Sequence, residues 1–203
     1  MQWNSRKHTA MPNSDPCQAR LPGLLVLTLP GWQGSGPLHW QSRWEALYGD
    51  ERVEQHDWDW PLRGDWMARL DEVVGAHPAK GVPDIALAAH SLGCHLVAAW
   101  AAHSRYTARV RGALLVAPPD LERPQAPPQL HSFVPMVRAR LPFPGVAVIS
   151  RDDPFAEPGP ARALAAAWGC RVVDAGARGH LNADSGLGDW PEGRALLADA
   201  LAG

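Results

Sequence analysis

Three side-chain types that together perform nucleophilic acyl chemistry follow one another along this chain: Ser91, a carboxylate at Asp152 or Asp153, and His180. Ser91 sits in Ala89-His90-Ser91-Leu92-Gly93, between an apolar run, Ile85–Ala88, and a helix-forming run, Leu96–Ala102. Small-x-Ser-x-Gly at a strand-to-helix junction is the pattern of a nucleophile elbow, a sharp turn that lifts the serine hydroxyl above a sheet. Ala89 and Gly93 must be small because the strand and helix backbones pass close together there. The turn also aims the first amides of the new helix at the reacting oxygen, where negative charge develops.

A serine hydroxyl becomes a useful nucleophile when a histidine takes its proton, and that histidine needs a carboxylate to fix its tautomer. The order serine, acid, histidine, with each on a loop after a strand, is one that a parallel sheet can assemble. The apolar run Val146–Ser150 leads into Arg151-Asp152-Asp153-Pro154, and Arg171–Asp174 leads through Ala175–Gly179 to His180. Asp152 and Asp153 compete for the acid. Counting back from Phe155 and Pro158 favours Asp153, leaving Asp152 to cap the following turn or face solvent. The oxyanion requires two amides: Leu92 supplies one, and Trp32, after Pro30-Gly31, is the candidate for the other.

The elements that must position these groups follow from periodicity. Leu24–Leu29 is a continuous apolar run stopped by Pro30-Gly31, as expected of a strand buried on both faces. Helical spacing covers 37–48, and Trp66, Leu70, Val73 and Val74 mark an amphipathic helix. Val53–Trp58 is a short strand candidate, and Val110–Ala117 is a further strand stopped by Pro118-Pro119. Residues 120–144 hold six prolines and little periodicity, so they read as a loop excursion with a short helix near Val134–Arg140. Pro160–Trp168 and Pro191–Leu201 complete the helices. Strand and helix alternate throughout, which predicts an α/β three-layer sandwich with a mostly parallel central sheet.

Composition bounds the partners. The 203 residues carry a net charge of −2 and no run of five like charges, so neither nucleic acid nor an anionic membrane is an expected partner. Cys17, Cys94 and Cys170 form no metal or disulfide framework and suit a reducing, cytoplasmic setting. Residues 1–20 lack the apolar core of a signal peptide. They read as a flexible polar leader, or as an over-extended start upstream of Met11, before a single domain over 21–203.

Several local motifs together resemble one family. These are Pro30-Gly31-Trp32-Gln33-Gly34-Ser35-Gly36-Pro37, His39-Trp40-Gln41, Trp44-Glu45, Asp57-Trp58 before Pro61, the AHSLG elbow and Asp152-Asp153-Pro154-Phe155. The run from Gly179-His180 through Asn182, Asp184, Ser185 and Gly188-Asp189-Trp190 is the most specific. The chain is similar here to retinoblastoma-binding-protein-like serine hydrolases, including the bacterial YdeN-like proteins, over Leu24 to the C-terminus. The resemblance implies an α/β-hydrolase fold without a large lid domain and a triad of Ser91, Asp153 and His180. It implies no particular physiological substrate. The Leu-x-Cys-x-Glu motif is absent, since Leu92-Gly93-Cys94-His95-Leu96 lacks the glutamate, so pocket-protein binding is not expected.

Other chemistry-bearing residues have plainer readings. His90 is expected in the pocket wall, His95 and His103 as structural or surface groups, and Cys94 as packing. Ten tryptophans stand against three phenylalanines and two tyrosines, so indoles must do most of the aromatic packing. Trp66, Trp100 and Trp168 read as core, and Trp40, Trp44 and Trp190 as pins for loops. Trp32 and Trp58 read as walls of an apolar acyl or aryl pocket. The expectation is a serine hydrolase acting on small carboxylic esters, or amides, through an acyl-enzyme, with no metal or cofactor. The alternatives are a non-catalytic binding scaffold of the same fold and an acyltransferase using the same residues.

Overall fold

Strands that are apolar on both faces must be covered on both, and the helices divide between the two sides accordingly. A computed structural model describes residues 21, 23–78 and 84–202. The expected leader, residues 1–20, lies outside the described residues. The strands are β1 (Leu25–Leu29), β2 (Glu51–Arg52), β3 (Ile85–His90), β4 (Val110–Val116), β5 (Gly145–Ile149) and β6 (Arg171–Asp174). The helices are α1 (Trp40–Tyr48), α2 (Arg63–Ala76), α3 (Leu92–Ala101), α4 (Pro158–Trp168) and α5 (Pro191–Ala202). The sheet runs β2-β1-β3-β4-β5-β6 with every pairing parallel. Successive connections leave β1 in opposite directions, so the loops after β1 and β3 meet at the carboxyl edge, where such sheets bind ligands.

Alternation along each strand sets the two layers. Leu27, Leu29, Leu87, Ala89 and Leu115 pack with Trp66 and Leu70 of α2, Val97 and Trp100 of α3, and Trp168 of α4. Val26, Ala88, Leu114, Val116 and Val148 face Trp40 and Trp44 of α1 and Leu197 and Leu201 of α5. Full burial of one such side chain contributes roughly 1.5–3 kcal/mol. Among the described residues five indoles are essentially inaccessible, and each N–H still finds an acceptor. Trp66 donates to the Asp57 carbonyl at 3.1 Å, Trp100 to Asp71 at 2.9 Å and Trp168 to the Val137 carbonyl at 2.8 Å. Trp40 and Trp44 reach the Leu181 and Asp189 carbonyls at 3.1 and 2.8 Å.

Two sequence expectations are corrected. Val53–Trp58 is not a strand, because pairing with β1 ends soon after Arg52. The Asp57 carboxylate then turns the chain by accepting the Asp59 and Trp60 amides at 2.9 and 2.8 Å. The short helix of the proline-rich excursion is a 3-10 turn at Pro128–Phe133, not at 134–140. Backbone groups of 134–140 are engaged elsewhere: the Met136 amide donates to Glu122 at 3.0 Å and the Val137 carbonyl accepts Trp168. That excursion carries no α-helix, and among the described residues no large lid domain is inserted. No helix among them is long and apolar enough to cross a membrane.

Gly93 is required by the packing, since a Cβ there would collide with the Leu29 carbonyl oxygen. Gly93→Ala is therefore expected to destabilise the fold by about 1–3 kcal/mol or more. Gly64→Ala, in α2 where a Cβ meets nothing within 4 Å, should leave stability unchanged or raise it by up to about 1 kcal/mol. Urea unfolding midpoints distinguish the two, and equal midpoints would contradict the packing account.

Candidate active site

Ser91 is the single residue between β3 and α3, and its backbone adopts φ 53° and ψ −122°. That conformation costs a non-glycine residue about 1–3 kcal/mol. Hydrogen bonds hold it: the Ser91 amide donates to the Val116 carbonyl at 2.9 Å, and the Ser91 carbonyl accepts the Cys94 amide at 2.9 Å. The loop after β1 presses against this turn. A Cβ on Gly31 would lie 2.7 Å from Ser91 Cβ and 3.2 Å from the Leu92 amide nitrogen. Glycine thus brings the two loops together, and among the described residues neither the Trp32 nor the Leu92 amide has a hydrogen-bond acceptor.

The structure places Asp153 and His180 beside Ser91. His180 Nε2 lies 2.9 Å from Ser91 Oγ, and its Nδ1 lies 2.9 Å from each Asp153 carboxylate oxygen. An acceptor at Nδ1 selects the tautomer with the proton there, leaving Nε2 to accept the Ser91 hydroxyl. The His180 and Asp153 side chains are only 9% and 4% exposed, which strengthens their mutual attraction. Asp153 also accepts the Phe155 amide at 2.9 Å, and the Phe155 ring covers His180 edge-on at 4.5 Å.

Asp152 neither joins this line nor merely faces solvent. Its Oδ1 accepts the Ser150 hydroxyl at 2.8 Å and the Gly179 amide at 2.7 Å. These two hydrogen bonds hold its carboxyl below the usual carboxylate range. Asp152 therefore ties the end of β5 to the loop that delivers His180. On the other side of that loop, Asn182 caps the Ala183–Ser185 turn, while Arg43 pairs with Asp189 at 2.5 Å.

Sequence reasoning assigned no role to His39, although it helps to build the site. His39 Nδ1 caps α1 by accepting the Gln41 amide at 3.2 Å, and its ring meets His90 at 4.6 Å. His90, expected in the pocket wall, does line the cavity. Its Nε2–H donates to the His180 carbonyl at 2.9 Å, and the two rings lie 4.8 Å apart. Burial, then the neighbouring His39 and His180, hold His90 well below the ordinary histidine range. Burial and the Arg52 charge lower His39 to about 3. The signal in the sequence was N-cap position before a helical run, which histidine rarely advertises.

A cavity of about 330 Å³ opens at Ser91. Trp32, Leu121, Pro127, Leu130 and Phe155 make its wall largely apolar. Trp58 is a correction: it is not part of this wall. Its ring packs behind Gly34 and edge-on to Trp66 at 5.3 Å, and its carbonyl accepts the Gln33 amide at 3.0 Å. It backs the Gly31–Gly34 loop because the chain turns at Asp57 instead of extending toward the cavity. A larger hollow, about 760 Å³ and bordered by Arg140 and Gly145, opens at the amino end of β5, away from Ser91.

A strand-to-helix serine, facing histidine and following acid, on an all-parallel sheet covered by helices, define an α/β hydrolase. The serine hydrolase family model matches residues 26–199, and the chain belongs to that family. A protein from Pectobacterium atrosepticum described as a YdeN-like hydrolase superposes with TM-score 0.75 at 26% identity, covering 88% of this chain and 91% of that one. The ydeN product of B. subtilis follows at TM-score 0.66 and 17% identity, covering 89% and 100%. A thermophilic esterase from Thermogutta terrifontis in butyrate-bound form matches at TM-score 0.59 and 16% identity, covering 94% and 86%. No curated protein matches the sequence. The enzyme is thus a hydrolase of serine hydrolase family.

Two predictions follow from this geometry. Asp152→Ala should slow turnover by up to about 10²-fold through a displaced His180 loop, with less effect than Asp153→Ala; equal losses would contradict the division of labour. The second concerns acid stability. His39, His90 and His95, the last lowered to about 4 by burial, stay neutral in the fold. The unfolded chain protonates them below about pH 6.5, so it binds more protons. Stability should then fall as pH drops from about 6.5 toward the folded values, by roughly 1.4 kcal/mol per pH unit for each histidine. His39→Asn, which keeps a capping acceptor, should lower the proton uptake on unfolding by about one. Stability that is flat in urea titrations between pH 7 and pH 5 would contradict this.

Proposed function

We propose that the protein cleaves small carboxylic esters through an acyl-enzyme formed on Ser91. The observation that carries this reading is the hydrogen-bonded line from Ser91 Oγ through His180 to Asp153, at 2.9 Å on each side, opening on a largely apolar cavity. In this mechanism Ser91 Oγ attacks the carbonyl carbon as its proton passes to His180 Nε2. Asp153 remains ionised and stabilises the imidazolium. The amides of Trp32 and Leu92 receive the charge on the carbonyl oxygen, and their lack of other acceptors suits that task. His180 then protonates the departing alkoxide. A water molecule, activated by the same nitrogen, releases the acid and restores Ser91.

A small ester suits a cavity of about 330 Å³ with a largely apolar wall. The butyrate-bound esterase among the structural neighbours supports a short acyl group. Cytoplasmic placement belongs to the same proposal and is supported by the free thiols of Cys94 and Cys170. Ser91→Ala is expected to lower p-nitrophenyl acetate turnover on the order of 10⁶-fold without lowering the urea midpoint. Wild-type turnover by Ser91→Ala would rule the mechanism out.

A further inference from the structure

The cavity beside Ser91 has a largely apolar wall, yet an arginine is among the residues that line it. Arg123 lies in the excursion between β4 and β5 and lines the cavity. Its guanidinium carbon sits 5.3 Å over the Phe155 ring, which in turn meets the His180 ring at 4.5 Å. One aromatic ring therefore separates a fixed cation from the histidine that faces Ser91. The cation–π seat orients the guanidinium before any ligand arrives.

A guanidinium carries five N–H donors. Among the described residues Arg123 uses a single contact, to the Pro154 carbonyl at 2.5 Å, and has no carboxylate partner. Other arginines are paired: Arg138 with Glu122 at 2.7 Å, and Arg151 and Arg162 with Asp174 at 3.0 and 2.6 Å. Asp120 also lines the cavity but does not pair with Arg123. Its Oδ1 accepts the Glu122 amide at 3.0 Å, and the residue also borders the adjoining hollow beside Glu122 and Arg138. What remains is a preoriented fork of donors on a residue that lines the substrate space, and a carboxylate is the group whose two oxygens match it.

We infer that Arg123 binds a carboxylate on the substrate, remote from the scissile bond, so that the preferred substrates are anionic esters. The inference rests on the ester hydrolysis proposed above. The apolar wall takes the spacer between the ester and the carboxylate, while Arg123 holds the far end. Such an anchor sets selectivity by the partner it leaves unpaired when a neutral ester binds.

The test compares kcat/KM for p-nitrophenyl monoadipate with that for methyl p-nitrophenyl adipate, which differ at the remote end by one charge. A second pair, 4-acetoxybenzoate against its methyl ester, puts the carboxylate on the alcohol side. The expected result is an anionic preference of about tenfold to a hundredfold in one pair, weakening as salt rises. The pair that shows it identifies the side. Arg123→Gln should bring that ratio close to one, and Arg123→Lys should retain part of it, whatever either does to the neutral rate. If the wild type cleaves the neutral esters but prefers neither anion, or if Arg123→Gln keeps the preference, the carboxylate anchor is overturned and ester hydrolysis stands. If the wild type cleaves none of the four esters, both proposals fail.

Discussion

The close approach of three backbones beneath Ser91 is the constraint on which the rest depends. β1, β3 and the start of α3 touch at Gly31 and Gly93, where added Cβ atoms would meet Ser91 Cβ and the Leu29 carbonyl. That contact leaves Ser91 with φ 53°, and among the described residues the Trp32 and Leu92 amides have no internal acceptor. The strain is local, while the force sustaining it is spread over the sheet: the fully buried β3 lies between two core layers, and the apolar α3 packs into one of them. A hydroxyl lifted above the carboxyl edge is thus a consequence of packing, and it is available for chemistry before any ligand binds.

The opposite half of the site is held by polar contacts. His180 arrives on a loop that has little regular structure, so its position depends on what grips that loop. Asp152 holds Gly179 from one side, His90 donates to the His180 carbonyl, and Trp40 donates to the Leu181 carbonyl. Trp44 and Arg43 secure Asp189 further along. The tryptophan-rich composition acquires a purpose here: an indole fills the core like phenylalanine and still offers one N–H to a loop carbonyl. The interdependence runs from sheet packing to loop position to the imidazole that faces Ser91.

The chemistry-bearing residues were legible because their types and their order after strands are fixed by what the fold can bring together. Ser91, Asp153 and His180 were named from sequence, and the structure brings them within hydrogen-bond distance. Asp152 was harder to read, because two adjacent aspartates look alike until the partners of each are seen. Trp58 was misplaced because Val53–Trp58 alternates like a strand, whereas the Asp57 turn is a local hydrogen-bonding event with only a weak pattern. His39 and Arg123 carried no periodic signal at all. Their positions depend on contacts with His90 and Phe155, residues 51 and 32 places away along the chain.

The central claim is that Ser91 is made nucleophilic by His180 in the folded protein. Peptide mapping after reaction with a fluorophosphonate tests it most directly. The account predicts one adduct, on Ser91, that forms in native wild-type protein and is lost in urea and in His180→Ala. No adduct on native protein, or one that forms equally fast without His180, would contradict it.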